Sequence, residues 1–181
     1  MDRCEVLKYF ENAKSFYEST VEDNIEKYRK GSCKVTILDN SGLPVAGARV
    51  KIKQKNHAFR FGANIFMLDE LETNEKNLLY KERFKDVFNM ATLPFYWDSV
   101  EPKKGEYRFD KDCSKYYRRP SIDLCMEFCQ ENGIEPREHA LAYDNHFPDW
   151  LVGASVDTVK KELEKRFEMI AKRYGDKINT I

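Results

Sequence analysis

The sequence has no net charge and no long apolar run, and both absences exclude classes of function. Lysine and arginine together number 31, as do aspartate and glutamate, so no excess of positive charge is available for a nucleic-acid backbone. No stretch of about 18 consecutive apolar residues occurs, so no membrane-spanning helix is expected. We therefore expect neither nucleic acid nor a membrane as a partner. The 41% hydrophobic and 34% charged residues are typical of a globular protein rather than a disordered one.

Cysteine is scarce and irregularly spaced. The five cysteines are Cys4, Cys33, Cys113, Cys125 and Cys129. An odd, scattered set does not suggest a disulfide framework, so we expect reduced and mostly buried thiols. Cys125 and Cys129 are spaced to share one helix face, but they lack a third ligand, which favours core packing over a metal site.

The first residues also lack the basic start and apolar stretch of a secretory signal. We therefore expect a cytoplasmic location for the chain as written, unless its natural start lies elsewhere.

Residues 1–57 are predicted to form an extension of one helix and one β-hairpin. Apolar residues recur every three or four positions from Val6 to Tyr28, and Gly31 ends this pattern. An alternation of period two then flanks the turn sequence at 39–42, which predicts a hairpin with one covered face. The apolar stripe favours docking of the helix against the rest of the chain, with a partner protein as the alternative.

From residue 58 onward, short apolar strands alternate with helices. Strands are predicted at 59–64, 91–95, 136–143 and 177–181. Three helices are predicted between these strands. The first has an inner side formed by Leu78, Leu79, Phe84, Val87 and Phe88. The second starts at Pro120 and ends at Asn132-Gly133, and Ser155 caps the third. This order predicts a parallel sheet with right-handed crossovers, which fits both a doubly wound sheet and a β/α barrel. The dinucleotide-binding version is disfavoured because no G-x-G-x-x-G follows the first strand.

In either architecture, functional side chains follow the carboxyl ends of the strands. These positions hold aromatic, amide, imidazole and carboxylate groups, which suit a sugar because rings stack on a pyranose while polar groups bind its hydroxyls. The candidate substrate-binding residues are Asn64, Tyr96, Trp97, His139, Tyr143, Asp144 and Trp150. Taken singly, each tryptophan could equally be a loop anchor.

Two other sites can be drawn from the same segments. His139, Asp144 and His146 could form a metal site, but they lack H-E-x-x-H order and sugar contacts explain them better. Asp98 and Asp144 could form a carboxylate pair, which we weigh below the sugar site.

The segment Trp97–Phe109, W-D-S-V-E-P-K-K-G-E-Y-R-F, resembles the W-x-x-x-E-P-x-x-G-x-(aromatic)-x-F segment of glycoside hydrolase family 10, which contains the endo-β-1,4-xylanases. Residues 137–141 resemble the family's Arg-Gly-His-x-Leu, Pro148-x-Trp150 matches its Pro-x-Trp, and residues 173–178 match the lead into strand four. The similarity covers residues 58–181. It implies an α/β fold, the first three to four β/α units of an incomplete (β/α)8 TIM barrel, preceded by the helix and hairpin.

The resemblance also implies a retaining mechanism with two glutamates. In the family the acid/base glutamate lies at the end of strand four, in a Trp-Asp-x-x-Asn-Glu segment, and the nucleophile follows strand seven. Neither catalytic position occurs in this chain, so the resemblance implies a fragment of a glycosidase for xylan or a related polysaccharide, inactive alone. No cofactor and no metal are implied. Glu101 matches the family, and we assign it to loop architecture rather than to catalysis.

Several departures from the family pattern put a preference for xylan in question. Tyr96 stands where the family has lysine, Glu138 where it has glycine, and Tyr143-Asp144 where it has Trp-His. The alternatives are a non-catalytic glycan-binding protein and a purely structural or interaction module. We expect an oligosaccharide or polysaccharide as the partner, and self-association through unpaired sheet edges.

Overall fold

The computed structural model describes residues 3–55 and 57–181, and it divides into two compact units between Lys53 and Gln54. None of the described helices combines the length and apolar character needed to cross a membrane. The two units are built differently and are taken in turn.

The first unit begins with a nearly continuous helical run. It comprises α1 (Arg3–Asn12), α2 (Lys14–Phe16), a π-helical turn (Tyr17–Val21) and α3 (Glu22–Tyr28). The predicted helix is confirmed over these residues, whereas Met1 and Asp2 lie outside the described ones. Most of its apolar side chains are exposed, Phe10 by 58% and Tyr28 by 67%, whereas Ala13 and Val21 are half-buried. The docking of this stripe therefore stays a prediction.

The predicted hairpin is present in the described residues as its turn and the pairing directly beside it, where the Val45 amide donates to the Ile37 carbonyl at 2.9 Å. The Asp39 carboxylate accepts hydrogen bonds from the amides of Ser41 (2.8 Å) and Leu43 (2.9 Å), and Gly42 takes the positive φ of 78° that this turn requires. Only one antiparallel bridge, Leu38 to Pro44, follows, and every described residue from 31 to 55 is exposed. Alternation alone does not hold two strands together, since a hairpin with nothing packed on its apolar face is marginal in water.

The second unit contains a parallel three-stranded sheet in the order β1 (Gly62–Asn64), β2 (Met90–Pro94) and β3 (Glu135–His139). The register pairs Asn64 with Thr92 and Pro94 with His139. The predicted parallel alternation is confirmed, although β3 ends at His139 rather than at Tyr143. The predicted fourth strand is reduced to one parallel bridge, Arg137 to Thr180.

The helices of this unit are α4 (Asn74–Val87), α5 (Trp97–Val100), α6 (Ile122–Asn132) and α7 (Val156–Tyr174), with 3₁₀ turns at Asp144–His146 and Asp149–Leu151. The core between sheet and helices includes Leu93, Phe84, Cys125, Cys129 and Ile170. Cys125 and Cys129 are buried free thiols, as predicted, whereas Cys33 is exposed.

Several predicted inward-facing residues prove to be exposed. On α4 only the Tyr80, Phe84 and Phe88 side faces the core, while Leu78, Leu79 and Val87 are 66%, 50% and 61% exposed. On α7, Phe167 is 39% exposed and Arg166 is buried in its place. In both helices the apolar residues cover more than one face, so their spacing does not identify the face that packs.

The helix ends follow the predicted signals with one exception. Ser155 caps α7 by accepting a hydrogen bond from the Thr158 amide, and Gly133, at φ 63°, ends α6 in the left-handed region. Pro120 is not the first residue of α6, because the Ser121 side chain accepts from the Leu124 amide and serves as the N-cap.

Candidate functional site

The carboxyl ends of the three strands meet at one edge of the sheet. Asn64 and His139 are the last residues of β1 and β3, and Tyr96 lies just past the end of β2. The Phe95 amide donates to the His139 carbonyl at 2.8 Å, which joins the ends of β2 and β3. The peptide bond between His139 and Ala140 is cis. The predicted strand-end residues therefore share one side of the molecule.

Four aromatic side chains pack together at this edge and form what we name the ring cluster: Tyr96, His139, Tyr143 and His146. Tyr96 lies at its centre, with ring centroids 5.5 Å from His139, 6.2 Å from Tyr143 and 4.1 Å from His146. Three of the four are predicted substrate-binding residues. His146, which the sequence suggests only as a metal ligand, joins them because the 3₁₀ turn returns it beneath Tyr143.

Tyr96 is almost wholly buried, at 8% exposure. The His146 ring centroid lies 4.1 Å from that of Tyr96, and the Arg119 guanidinium carbon lies 4.4 Å from the Tyr96 centroid. Burial raises the pKa of the Tyr96 hydroxyl, and the Arg119 charge opposes that rise. With only 8% of Tyr96 exposed, the ring cluster presents mainly Tyr143, which is 44% exposed, and the half-buried His139.

An aspartate orients the imidazole of His146. The Asp98 Oδ2 atom lies 2.7 Å from His146 Nδ1, while Asp98 Oδ1 is buried and has no hydrogen-bond partner among the described residues. A proton on Nδ1 donated to this carboxylate leaves Nε2 free to accept. The Asp144 carboxylate accepts instead from its neighbour, the Asn145 amide, at 3.0 Å. Asp98 thus has a histidine as its partner in this structure.

The two tryptophans lie beside the ring cluster and are both tied to Glu101. The Trp97 indole donates to Glu101 Oε2 at 2.9 Å, and the Trp150 indole donates to the Glu101 carbonyl, also at 2.9 Å. The Gly105 amide donates to Glu101 Oε1 at 2.8 Å, so both carboxylate oxygens are occupied. The predicted loop role of Glu101 is confirmed. Trp97 is only 3% exposed and therefore supports the loop, whereas Trp150 is half-buried and retains a free surface.

A buried charge pair underlies the strand ends. Glu138 and Arg166 are 3% and 1% exposed, and neither Glu138 carboxylate oxygen has a hydrogen-bond partner of normal geometry among the described residues. Burial raises the pKa of Glu138 to about 7, which the nearby Arg166 charge opposes, and burial lowers the pKa of Arg166 to about 10. Sequence reasoning missed Arg166, although its position four residues before Ile170 places it on the apolar stripe of α7.

Asn64 is exposed at the end of β1, and no hydrogen bond joins it to another candidate residue in the described part of the chain. Among the described residues no group of three histidine, cysteine, aspartate or glutamate side chains is placed to hold a metal ion. The ring cluster with its Asp98 support is therefore the best-defined constellation in the second unit.

Solved xylanases share this fold. Xylanase XynB from Paenibacillus barcinonensis superposes with a TM-score of 0.52 at 24% identity, covering 68% of this chain and 34% of that one. Xylanase 10B from Thermotoga maritima superposes with a TM-score of 0.51 at 22% identity, covering 66% and 34%. The predicted fold class, an incomplete β/α barrel, is confirmed.

Sequence relatives extend over more of the chain. The anti-sigma-I factor RsgI6 of Acetivibrio thermocellus is 27% identical over 148 residues, 80% of this chain and 18% of that protein. An endo-1,4-beta-xylanase 5-like protein of Arabidopsis thaliana is 23% identical over 177 residues, 96% and 28% of the two chains. The chain thus spans less than a third of the length of these relatives. The family model described as glycosyl hydrolase family 10 matches residues 51–181, well over half of the sequence, and the chain belongs to that family.

Proposed function

We propose that this chain carries part of the sugar-binding site of a retaining glycoside hydrolase for β-1,4-linked plant polysaccharides such as xylan. The observation that carries the proposal is the ring cluster, which joins Tyr96, His139 and Tyr143 at the strand ends. In β/α barrels these ends hold the active site. Family membership supplies the reaction class.

The exposed members of the site have the chemistry that a sugar requires. The Tyr143 ring offers an apolar face, and Trp150 offers a second one farther along the loop. Asn64, His139 and Asp144 supply amide, imidazole and carboxylate groups for hydroxyls. Tyr96 and Trp97 support these side chains from below, because their own rings are almost wholly buried.

The chain is proposed to bind without hydrolysing. Retention requires two carboxyl groups about 5–5.5 Å apart, one as acid/base and one as nucleophile. No Trp-Asp-x-x-Asn-Glu segment, which carries the acid/base glutamate in this family, occurs among the 181 residues. Of the carboxylates near the site, Glu101 is occupied by two hydrogen bonds and Asp98 faces His146.

Calorimetric titration of the 181-residue chain with xylotriose and with cellotriose tests the binding. We expect xylotriose binding that Tyr143→Ala and His139→Ala each weaken at least tenfold, while Tyr9→Ala, an exposed tyrosine of α1, leaves it unchanged. Absence of binding to either sugar contradicts the proposed binding site. Release of reducing ends from xylan by this chain contradicts the proposal that it binds without hydrolysing.

A non-catalytic glycan-binding protein is the second candidate. The similarity to RsgI6, whose name describes a regulatory factor rather than an enzyme, favours it over 80% of the chain. An assay of the longest natural chain that contains this sequence distinguishes the two candidates. Hydrolysis of xylan by that chain supports the enzyme, whereas sugar binding without hydrolysis supports the binding protein.

A further inference from the structure

Arg166 is a buried cation on the packing face of a helix. It lies on α7 in line with the buried Ile170 and Tyr174, and it is 1% exposed. Removing a guanidinium from water carries a large desolvation cost, which specific contacts must offset. The position therefore calls for an explanation other than apolar packing.

The Arg166 side chain bridges two strand ends. Its Nε donates to the Leu141 carbonyl at 3.0 Å. Its Nη2 donates to the Phe95 carbonyl and lies 3.5 Å from the Ala140 carbonyl. Phe95 directly follows β2, whereas Ala140 and Leu141 directly follow β3. Because the guanidinium is a rigid planar fork, these contacts fix the distance between the two segments.

These two segments carry the functional side chains. Tyr96 and Trp97 come next after Phe95, and His139 precedes Ala140. The Trp97 ring centroid itself lies 5.4 Å from the guanidinium carbon of Arg166. A shift of the fork would therefore move the ring cluster and its supporting tryptophan together.

The carboxylate of Glu138, which is the buried counter-charge of Arg166, is incompletely hydrogen-bonded. Glu138 is buried nearby, yet both of its carboxylate oxygens and Arg166 Nη1 lack hydrogen-bond partners of normal geometry among the described residues. Well-packed apolar residues often replace such a buried pair without loss of stability, whereas removal of one partner alone strands the other charge. Stability alone is thus a weak reason for the pair to be present.

We propose that Arg166 is a positioning residue that sets the spacing between the ends of β2 and β3 and thereby holds Tyr96, Trp97 and His139 in their arrangement. At 1% exposure, it acts through these residues rather than on a ligand. The consequence for sugar binding rests on the proposed function, but the geometric role does not.

Three variants of the full chain test this role. Arg166→Lys keeps the charge but replaces the fork by a single ammonium. The double variant Arg166→Met/Glu138→Met removes both buried charges, and Lys172→Met is the matched control on the exposed side of α7. The readouts are the two indole N–H resonances, assigned with Trp150→Phe, the thermal midpoint, and calorimetric binding of xylotriose.

We expect Arg166→Lys to shift the Trp97 indole resonance and to weaken xylotriose binding at least tenfold. The double variant should melt cooperatively at or above the parent midpoint, with the same indole shift and the same loss of binding. Lys172→Met should match the parent throughout.

A parent-like Trp97 resonance in both Arg166 variants overturns the proposal. Unfolding of the double variant also overturns it, because Arg166 would then serve stability. Should the parent itself fail to bind xylotriose, the proposed function falls, and the indole resonances alone decide the positioning role.

Discussion

At the scale of single residues, Glu138 has the most unusual environment in the second unit. It replaces a glycine of the family pattern and brings a carboxylate into a place with 3% exposure. Its pKa is raised from 4.5 to about 7, because burial disfavours the charged form more than Arg166 favours it. Glu138 is therefore both a departure from the family pattern and a source of pH dependence in the stability of the fold.

Glu138→Gln should flatten the pH dependence of stability between pH 5 and pH 8. A raised carboxyl pKa means that the folded state holds the proton more tightly, so stability is greatest at low pH and declines as the pH rises through 7. The Glu138 contribution amounts to about 3 kcal/mol across this window. Urea denaturation followed by circular dichroism at both pH values measures it, with the exposed Glu131→Gln on α6 as control. An equal slope in parent and Glu138→Gln would contradict the assignment.

Asp98→Asn should release the imidazole of His146. Without the carboxylate 2.7 Å away, Nδ1 loses its charged acceptor, and the tautomer with the proton on Nδ1 should give way to a mixture. Nitrogen chemical shifts of His146 report this change, with Asp157→Asn at the start of α7 as control. On the proposed function, sugar binding should weaken about tenfold, or about 1.4 kcal/mol. A single unchanged tautomer would show that Asp98 does not orient the ring.

At the scale of elements, the loop after β2 is organised by one glutamate. Glu101 accepts both from the Trp97 indole and from the Gly105 amide. Glu101→Ala should cost about 3 kcal/mol, since it leaves two donors unpaired where burial makes that expensive. Chemical denaturation measures the loss. Glu106→Ala in the same loop, whose ion pair with Lys103 is exposed, should change stability very little. Equal effects from the two variants would refute the special role of Glu101.

Element order was predictable from the sequence, but the packed face of each element was not. A short apolar run located β2, the helix signals from Pro120 to Gly133 located α6, and Ser155 located the start of α7. Arg166 was missed because a charged residue on an apolar stripe is ordinarily assigned to solvent, and its carbonyl partners lie 25 to 71 residues away along the chain. The hairpin is shorter than its alternation predicts, because alternation along the chain does not supply packing on the apolar face, and the described residues from 31 to 55 are all exposed.

In the ring cluster too, the positions along the chain were predictable, but the packing of the side chains was not. Strand-end placement predicted that Tyr96, His139 and Tyr143 would meet, because parallel strands share one edge. The burial of Trp97 and the addition of His146 follow from side-chain packing and from a 3₁₀ turn, which spacing along the chain does not encode.

At the scale of the whole molecule, the sheet has open edges. In the described residues β1 pairs only with β2, and beyond β3 there is only the single bridge to Thr180. Unpaired edge groups favour pairing with another copy. Sedimentation velocity across a hundredfold range of concentration should show mass increasing above 21.4 kDa. A cooperatively melting monomer over the whole range would show that the edges are protected.

The connection of both indoles to Glu101 has a practical consequence. The sequence contains only two tryptophans, and each donates its N–H to this one residue. Almost all of the tryptophan emission of the protein therefore originates from two neighbouring segments, after β2 and after β3, that meet at Glu101 beside the proposed sugar site. Tryptophan fluorescence of this chain therefore reports on the surroundings of Glu101 in the second unit.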